Sequence, residues 1–258
     1  MKPNKEKPWI RALRAIVIGL CLIGTAEGLA QDQAADDERV VADFDEIEAG
    51  VFPPEWKAVW ARETEGAEIY TVVKEDDKSY LKAVATNSDI LIAKEFKYDL
   101  KVYPMLRWSW RAMALPEGAD ERKKETGDSG AAVYVVFPGR FRPYNIKYVW
   151  SSSLPVGATT ESPYNSKTKI VVLRNRTTPF GKWVSEQVNV YEDYKRLIGE
   201  EPEEVQAIAI MSDSNNTESK AVAHYDDIRI GKGPKEKREE QGANDHKAPA
   251  DNDCQRSR

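Results

Sequence analysis

The amino-acid sequence predicts an all-β protein, a jelly-roll-like sandwich of two antiparallel sheets with one short connector helix. Three observations predict it. Short runs of β-branched and aromatic residues recur along the chain between turn-forming clusters. The stretch Tyr103–Met113 reads with a period of two, placing Leu106, Trp108, Trp110 and Ala112 on one side and Arg107, Ser109, Arg111 and Met113 on the other. Two indoles one pleat apart need an opposing layer to cover them, so the chain requires two layers of sheet.

The elements follow in order. Val40–Glu46 is the first strand, with Val40, Ala42 and Phe44 alternating against Val41, Asp43 and Asp45. Pro53-Pro54 breaks the chain, and Trp56, Ala58 and Trp60 then alternate again. Glu68–Val73 and Tyr80–Ala85, joined by a polar turn, read as an antiparallel pair. Ile90–Phe96 leads into the tryptophan strand. Pro116–Gly130 is charged and rich in turn formers, hence an exposed loop. Ala131–Phe137 is apolar on both faces, which predicts a central strand covered on both sides. Asn145–Trp150 follows, then a second long loop over Ser151–Lys167 and strands over Lys169–Arg174 and Trp183–Val190. The helix starts after Asn189, whose cap is matched by Glu192; Tyr191, Tyr194, Leu197 and Ile198 share a face, and Gly199 and Pro202 stop it. Val205–Met211 and Ala221–Ile230 complete the strands.

The ends read differently. Residues 1–30 hold Lys2, Lys5, Lys7, Arg11 and Arg14, then the apolar run Ala15–Gly24, then Gly28 and Ala30 at the −3 and −1 positions of a cut. That is the layout of a secretory signal peptide and implies a periplasmic or secreted location. The run is about half the roughly 20 residues that span a bilayer, so no stable span is expected after cleavage. An uncleaved anchor is the competing reading. Cys21 does not mark a lipoprotein, because Leu20 stands where a small residue is needed. Residues 31–38 read as a flexible leader, 39–231 as the β domain and 232–258 as a disordered charged tail.

Charge narrows the function. The chain is at −5, and residues 1–30 hold five basic and two acidic residues, so the remainder is at −8. An acidic exported domain is a poor ligand for nucleic acid. Removal of residues 1–30 would leave Cys254 as the one cysteine, with no internal disulfide.

Several linked stretches carry a resemblance: Pro104–Arg111, Gly127-Asp128 before Ala131–Phe137, Tyr148–Ser151, Asn189–Tyr194, Ala209–Asp213 and Tyr225–Ile228. In this order they resemble the exported bacterial family called domain of unknown function 3047, over most of residues 40–230. The family name implies no activity and no catalytic residues. The opening Asp-Phe-Asp and closing Tyr-Asp-Asp-Ile strands also resemble those of jelly-roll carbohydrate-binding modules, a likeness of fold.

Candidate sites follow from side-chain chemistry. Arg107 and Arg111 are two guanidinium groups on one strand face, suited to a carboxylate such as a uronic acid, or to internal ion pairs. Tyr144, Tyr148, Tyr164, Trp150 and Trp183 offer aromatic surface for sugar rings, with Tyr144 and Tyr164 closest to loops and Trp108, Trp110 and Trp150 expected in the core. Asp43, Asp45, Asp226 and Asp227 would form a structural calcium site if the first and last strands pair; no other cofactor is expected. Asp213–Thr217 reads as a hairpin turn. Catalysis is poorly provided for. The two histidines, His224 and His246, and Cys254 form no triad or zinc spacing, and Glu186 with Glu192 or Asp193 is the one carboxylate pair proposed from the sequence. The expected function is therefore non-catalytic binding of a glycan or other envelope ligand. The alternatives are a polysaccharide lyase or hydrolase, using Arg107 with Tyr134 or Tyr148 or using paired carboxylates, and a structural or partner-binding envelope protein.

Overall fold

The computed structural model describes residues 37–233. The expected signal peptide and nearly all of the leader and tail lie outside them. Thirteen strands form two sheets. In chain order they are β1 (Glu38–Ala42), β2 (Lys57–Val59), β3 (Tyr70–Glu75), β4 (Lys78–Thr86), β5 (Leu91–Tyr98), β6 (Met105–Ala114), β7 (Ala131–Phe137), β8 (Tyr144–Trp150), β9 (Thr159–Ser162), β10 (Asn165–Arg174), β11 (Val184–Asn189), β12 (Val205–Met211) and β13 (Lys220–Gly231). Sheet A runs β11-β6-β13-β4-β3, and β1 pairs with β13 beyond the end of β4. Sheet B runs β2-β5-β12-β7-β8-β10-β9. The chain passes from one sheet to the other at most connections, which is the winding of a jelly roll.

The tryptophan strand, β6, lies where its alternation places it. Trp108 and Trp110 are 1% and 0% exposed between the sheets, with ring centroids 5.3 Å apart. Tyr148 and Trp150 of sheet B close on them at 5.6 and 5.7 Å. Burying one such ring stabilises the sandwich by roughly 1.5–3 kcal/mol. The apolar run of β7 is covered on both sides. Val133, Val135 and Phe137 enter the central core, while Ala132 and Tyr134 belong to a second cluster outside sheet B with Leu154, Ile170 and Val172.

The connector helix is α2 (Val190–Ile198). The Asn189 side chain accepts the Glu192 N–H at 3.1 Å, and Gly199 ends the helix at φ +85°, a left-handed conformation that costs glycine little. Tyr194 docks on Phe137, centroids 4.6 Å apart.

Four details differ from expectation. A second helix, α1 (Glu63–Ile69), takes the start of what reads as a strand. Glu65 accepts the Arg62 backbone N–H at its first turn, and Gly66 lets Phe52 approach to 3.1 Å of where a Cβ would sit. Trp56 and Trp60 do not share an environment: Trp56 is buried, and Trp60 is 95% exposed at φ +62°. The loop read over Ser151–Lys167 contains β9 and the first residues of β10. Finally, β8 and β10 pair in parallel. The chain leaves β8, runs back as β9 along the sheet edge, and lays β10 between them. A β9–β10 hairpin inserted this way makes one parallel pair in an otherwise antiparallel sheet.

Candidate functional site

The outer face of sheet A carries the polar side of β6. Three cross-strand rows cross it, because residues opposite one another in register share a face. One row brings Gln187, Arg107 and Arg229 together; the next brings Ser185, Ser109 and Asp226; the third brings Arg111, His224 and Lys82. Trp183, just before β11, joins the third row with its ring 4.7 Å from the Arg111 guanidinium carbon.

The third row is the most elaborate. The Arg111 guanidinium also lies over Tyr80, 5.0 Å from its ring centroid. It donates from Nε to His224 Nδ1 at 2.8 Å and to Glu75 at 2.6 Å. Tyr80 stacks on His224 at 4.7 Å and meets Trp183 edge-on at 5.4 Å. Burial, aided by the nearby Arg111 and Lys82 charges, lowers His224 to about 4, so its imidazole is neutral at physiological pH. Trp183 remains 39% exposed, and Met113 on β6 and Phe180 in the connection before β11 are exposed too. Gly181 N–H donates to Ala112 O at 2.9 Å, which lays the 175–183 connection along the end of β6 and holds these side chains on one strip. The strip offers an aromatic surface rimmed by hydrogen-bond donors.

The predicted residues divide among three places. Arg107 and Arg111 share the outer face of sheet A but lie in different rows. Arg107 pairs with Glu38 and donates to Gln187 at 2.7 Å. Tyr148 is not a surface ligand: it is 0% exposed, and its hydroxyl donates to Asp193 at 2.8 Å. Its side chain takes the inward half of the β8 alternation. Tyr144 lies under the Lys167 ammonium at 4.4 Å, and the Tyr164 hydroxyl donates to Lys124 O; both border sheet B, away from Arg111. Glu186 is bound by Arg174 and by the Trp110 N–H, and Asp193 by Tyr148 and Arg196, so these two of the three carboxylates suggested for catalysis are separately occupied.

The first and last strands pair as the calcium expectation required. Three of the four aspartates nevertheless have protein partners. Asp45 accepts from Ser79 N, Asp226 from Asp227 N, and Asp227 pairs with Lys78 and Arg229. Among the described residues no group of three or more His, Cys, Asp or Glu side chains is set to hold a metal ion.

The outer face of sheet B holds a polar cluster missed in the sequence. Residues 116–130 form a strap over it. Asp128 of the strap accepts from Asn216 N, Thr217 N and the Thr217 hydroxyl at 3.1, 2.8 and 2.6 Å, while Asp213 accepts from Ser129 N at 2.6 Å. Each segment thus caps the other's backbone. Asp213–Thr217 is accordingly not a hairpin turn but a crossing from β12 in sheet B to β13 in sheet A. Beneath the strap, buried Lys147 lies 5.3 Å from the Tyr134 ring. Burial pushes Asp213 up to about 7, against the opposing charge of Lys147 and the Ser129 hydrogen bond. A separate cleft of about 240 Å³, lined by Val41, Asp43, Phe44, Trp56 and Lys94, coincides with neither face's cluster.

His224 and Trp183 were named individually in the sequence; Tyr80 was not. Tyr80 and His224 lie on the outward halves of β4 and β13 and Trp183 just precedes β11, so only strand order brings them together. No helix among the described residues is long and apolar enough to cross a membrane.

Comparison with solved structures gives low similarities. A family 11 carbohydrate-binding module from Clostridium thermocellum, solved with a β-1,3-1,4-mixed-linked tetrasaccharide, is 8% identical, with 76% of this chain and 96% of that chain covered and a TM-score of 0.38. Endoglucanase cel12A from Rhodothermus marinus is 14% identical, with 76% and 99% covered and a TM-score of 0.40. Endoglucanase 3 of family GH12 from Trichoderma harzianum is 10% identical, with 75% and 97% covered and a TM-score of 0.36. No curated protein sequence matches the chain. The model of the family described as "Protein of unknown function (DUF3047)" matches residues 54–229, and the chain belongs to that family.

Proposed function

We propose that this protein is an exported, non-catalytic glycan-binding β-sandwich, and that it binds on the outer face of sheet A at the strip around Trp183. One observation carries the reading. A part-exposed indole is held against Arg111 and Tyr80, and Met113 on β6 and Phe180 in the connection before β11 are exposed as well. A solvent-facing apolar strip on a rigid sheet calls for a ligand with an apolar face, and the C–H face of a sugar ring is one. The row adds hydrogen-bond donors within reach of such a ring.

The test is a glycan array probed with the full chain, followed by titration of each hit. Trp183→Ala is expected to weaken binding at least tenfold, equivalent to about 1.4 kcal/mol. Unchanged binding in that variant, or no glycan bound at all, overturns the proposal.

One observation favours a second reading, polysaccharide hydrolysis. Asp226 lies one row from His224, and burial raises its carboxyl to about 7, the range of a general acid. Release of reducing ends by the full chain, abolished in Asp226→Asn, would select this reading over the first.

A further inference from the structure

The hydrogen-bonding character of the third row narrows the ligand. Arginine has no acceptor, so the Arg111 Nε–H directed at His224 Nδ1 fixes the imidazole tautomer. Nδ1 is the acceptor, and the ring proton is on Nε2. His224 therefore keeps a neutral N–H donor on Nε2, on a side chain that is only 6% exposed. Lys82, opposite His224 on β4, contributes an ammonium group and forms no ion pair among the described residues. Arg111 adds guanidinium N–H groups beyond those given to His224 and Glu75. The one carboxylate at this row, Glu75, is already bound to Arg111. The row is thus rich in donors, and its net positive charge comes from Lys82, because Glu75 offsets Arg111.

Spacing supports a single ligand. The row crosses adjacent strands, roughly 4.8 Å apart. The indole of Trp183 lies 6.3 Å from the His224 ring, centroid to centroid. A ring stacked on Trp183 places a substituent of the same or the next sugar over the Arg111–His224–Lys82 donors. A neutral sugar hydroxyl both donates and accepts, and gains less from a surface made of donors alone. A carboxylate only accepts, and it matches the charge.

We infer that the strip selects acidic glycans, with a uronic acid ring on Trp183 and its carboxylate over Arg111, His224 and Lys82. This rests on the glycan-binding reading above and names its substrate class. His224 acts as an uncharged donor. Affinity is therefore expected to be flat between pH 5 and 8, because lowering the imidazole to about 4 keeps it neutral throughout that window.

The deciding experiment titrates the full chain with oligogalacturonate and with a neutral β-glucan oligosaccharide of equal length. The uronate is expected to bind at least tenfold more tightly and to weaken with added salt. Lys82→Gln, at a half-exposed side chain, and His224→Gln are each expected to lower uronate affinity severalfold more than they lower affinity for the neutral oligosaccharide. Equal affinity for both oligosaccharides, with Trp183→Ala still weakening each, overturns the acidic preference but leaves glycan binding standing. Binding of neither removes both. A steep gain in affinity on acidification through pH 6.5 overturns the role of neutral His224.

Discussion

On both outer faces of the sandwich a cation sits over an aromatic ring in the middle of a sheet. On sheet A it is Arg111, over Tyr80 and Trp183. On sheet B it is Lys147, over Tyr134. The surroundings differ. Arg111 shares its charge with Glu75, whose side chain is half-exposed, and an indole beside it meets solvent. Lys147 is sealed under the 116–130 strap with Asp213 and Glu121, both buried, and Asp128 clasps the strap to the 212–217 crossing. The strand pattern is similar on the two faces. The strap makes the difference: covered, the charged row is a structural knot; uncovered, it is a surface able to meet a ligand.

The comparison breaks most visibly at Lys147. Replacing it by Met removes the positive charge that offsets buried Asp213 and Glu121, the largest stability loss expected among these variants. The urea midpoint should fall accordingly, and a midpoint equal to that of the parent protein would mean that the cluster is hydrated. A smaller effect comes from Asp213. Its folded value of about 7 lies above its unfolded value of about 3.9. Stability contributed by such a raised acid is fully present below the unfolded value and is lost as pH rises through the folded one. Stability should therefore decline between about pH 4 and pH 7. Asp226, raised to about 7 on the other face, acts in the same direction. Asp213→Asn should remove its own share and flatten the slope of urea midpoint against pH; an unchanged slope would exclude Asp213 as the titrating group. The smallest effect belongs to the open face. Glu75→Ala removes a largely exposed partner of Arg111 and should change stability by under about 1 kcal/mol. A larger loss would show that the row on sheet A is structural as well.

Much of the fold was legible in the sequence because period-two alternation is local. Leu106, Trp108, Trp110 and Ala112 declared the inward face of β6 without knowledge of any partner. The apolar run of β7 declared a doubly covered strand, and Asn189 with Gly199 declared the limits of α2. What stayed hidden depended on tertiary context. The polar strand β9 has no apolar face to reveal it and is held only by pairing with β10. The helix α1 contains Gly66, a weak helix former retained because Phe52 packs against it. The candidate site was half legible. Arg111, Trp183 and His224 stood out by type, but their meeting across β11, β6 and β13 required the strand order. Tyr148 misled because alternation gives two faces and does not say which one is inward. The cluster around Lys147 was hidden for the same reason: a lysine in a strand reads as solvent-facing until a strap is known to cover it.

The last strand of the chain, β13, is also the middle of sheet A, where β1, β4 and β6 all pair with it. A polypeptide emerging amino-end first, from a ribosome or through a translocation pore, therefore presents three strands with no common neighbour until residues 220–231 arrive. The half-built sheet has open edges meanwhile, the situation in which nascent chains recruit holding chaperones. A chain cut short before Lys220 would lose all three pairings at once and leave Trp108 and Trp110 on a sheet that cannot close, so the completeness of sheet A rests on residues 220–231.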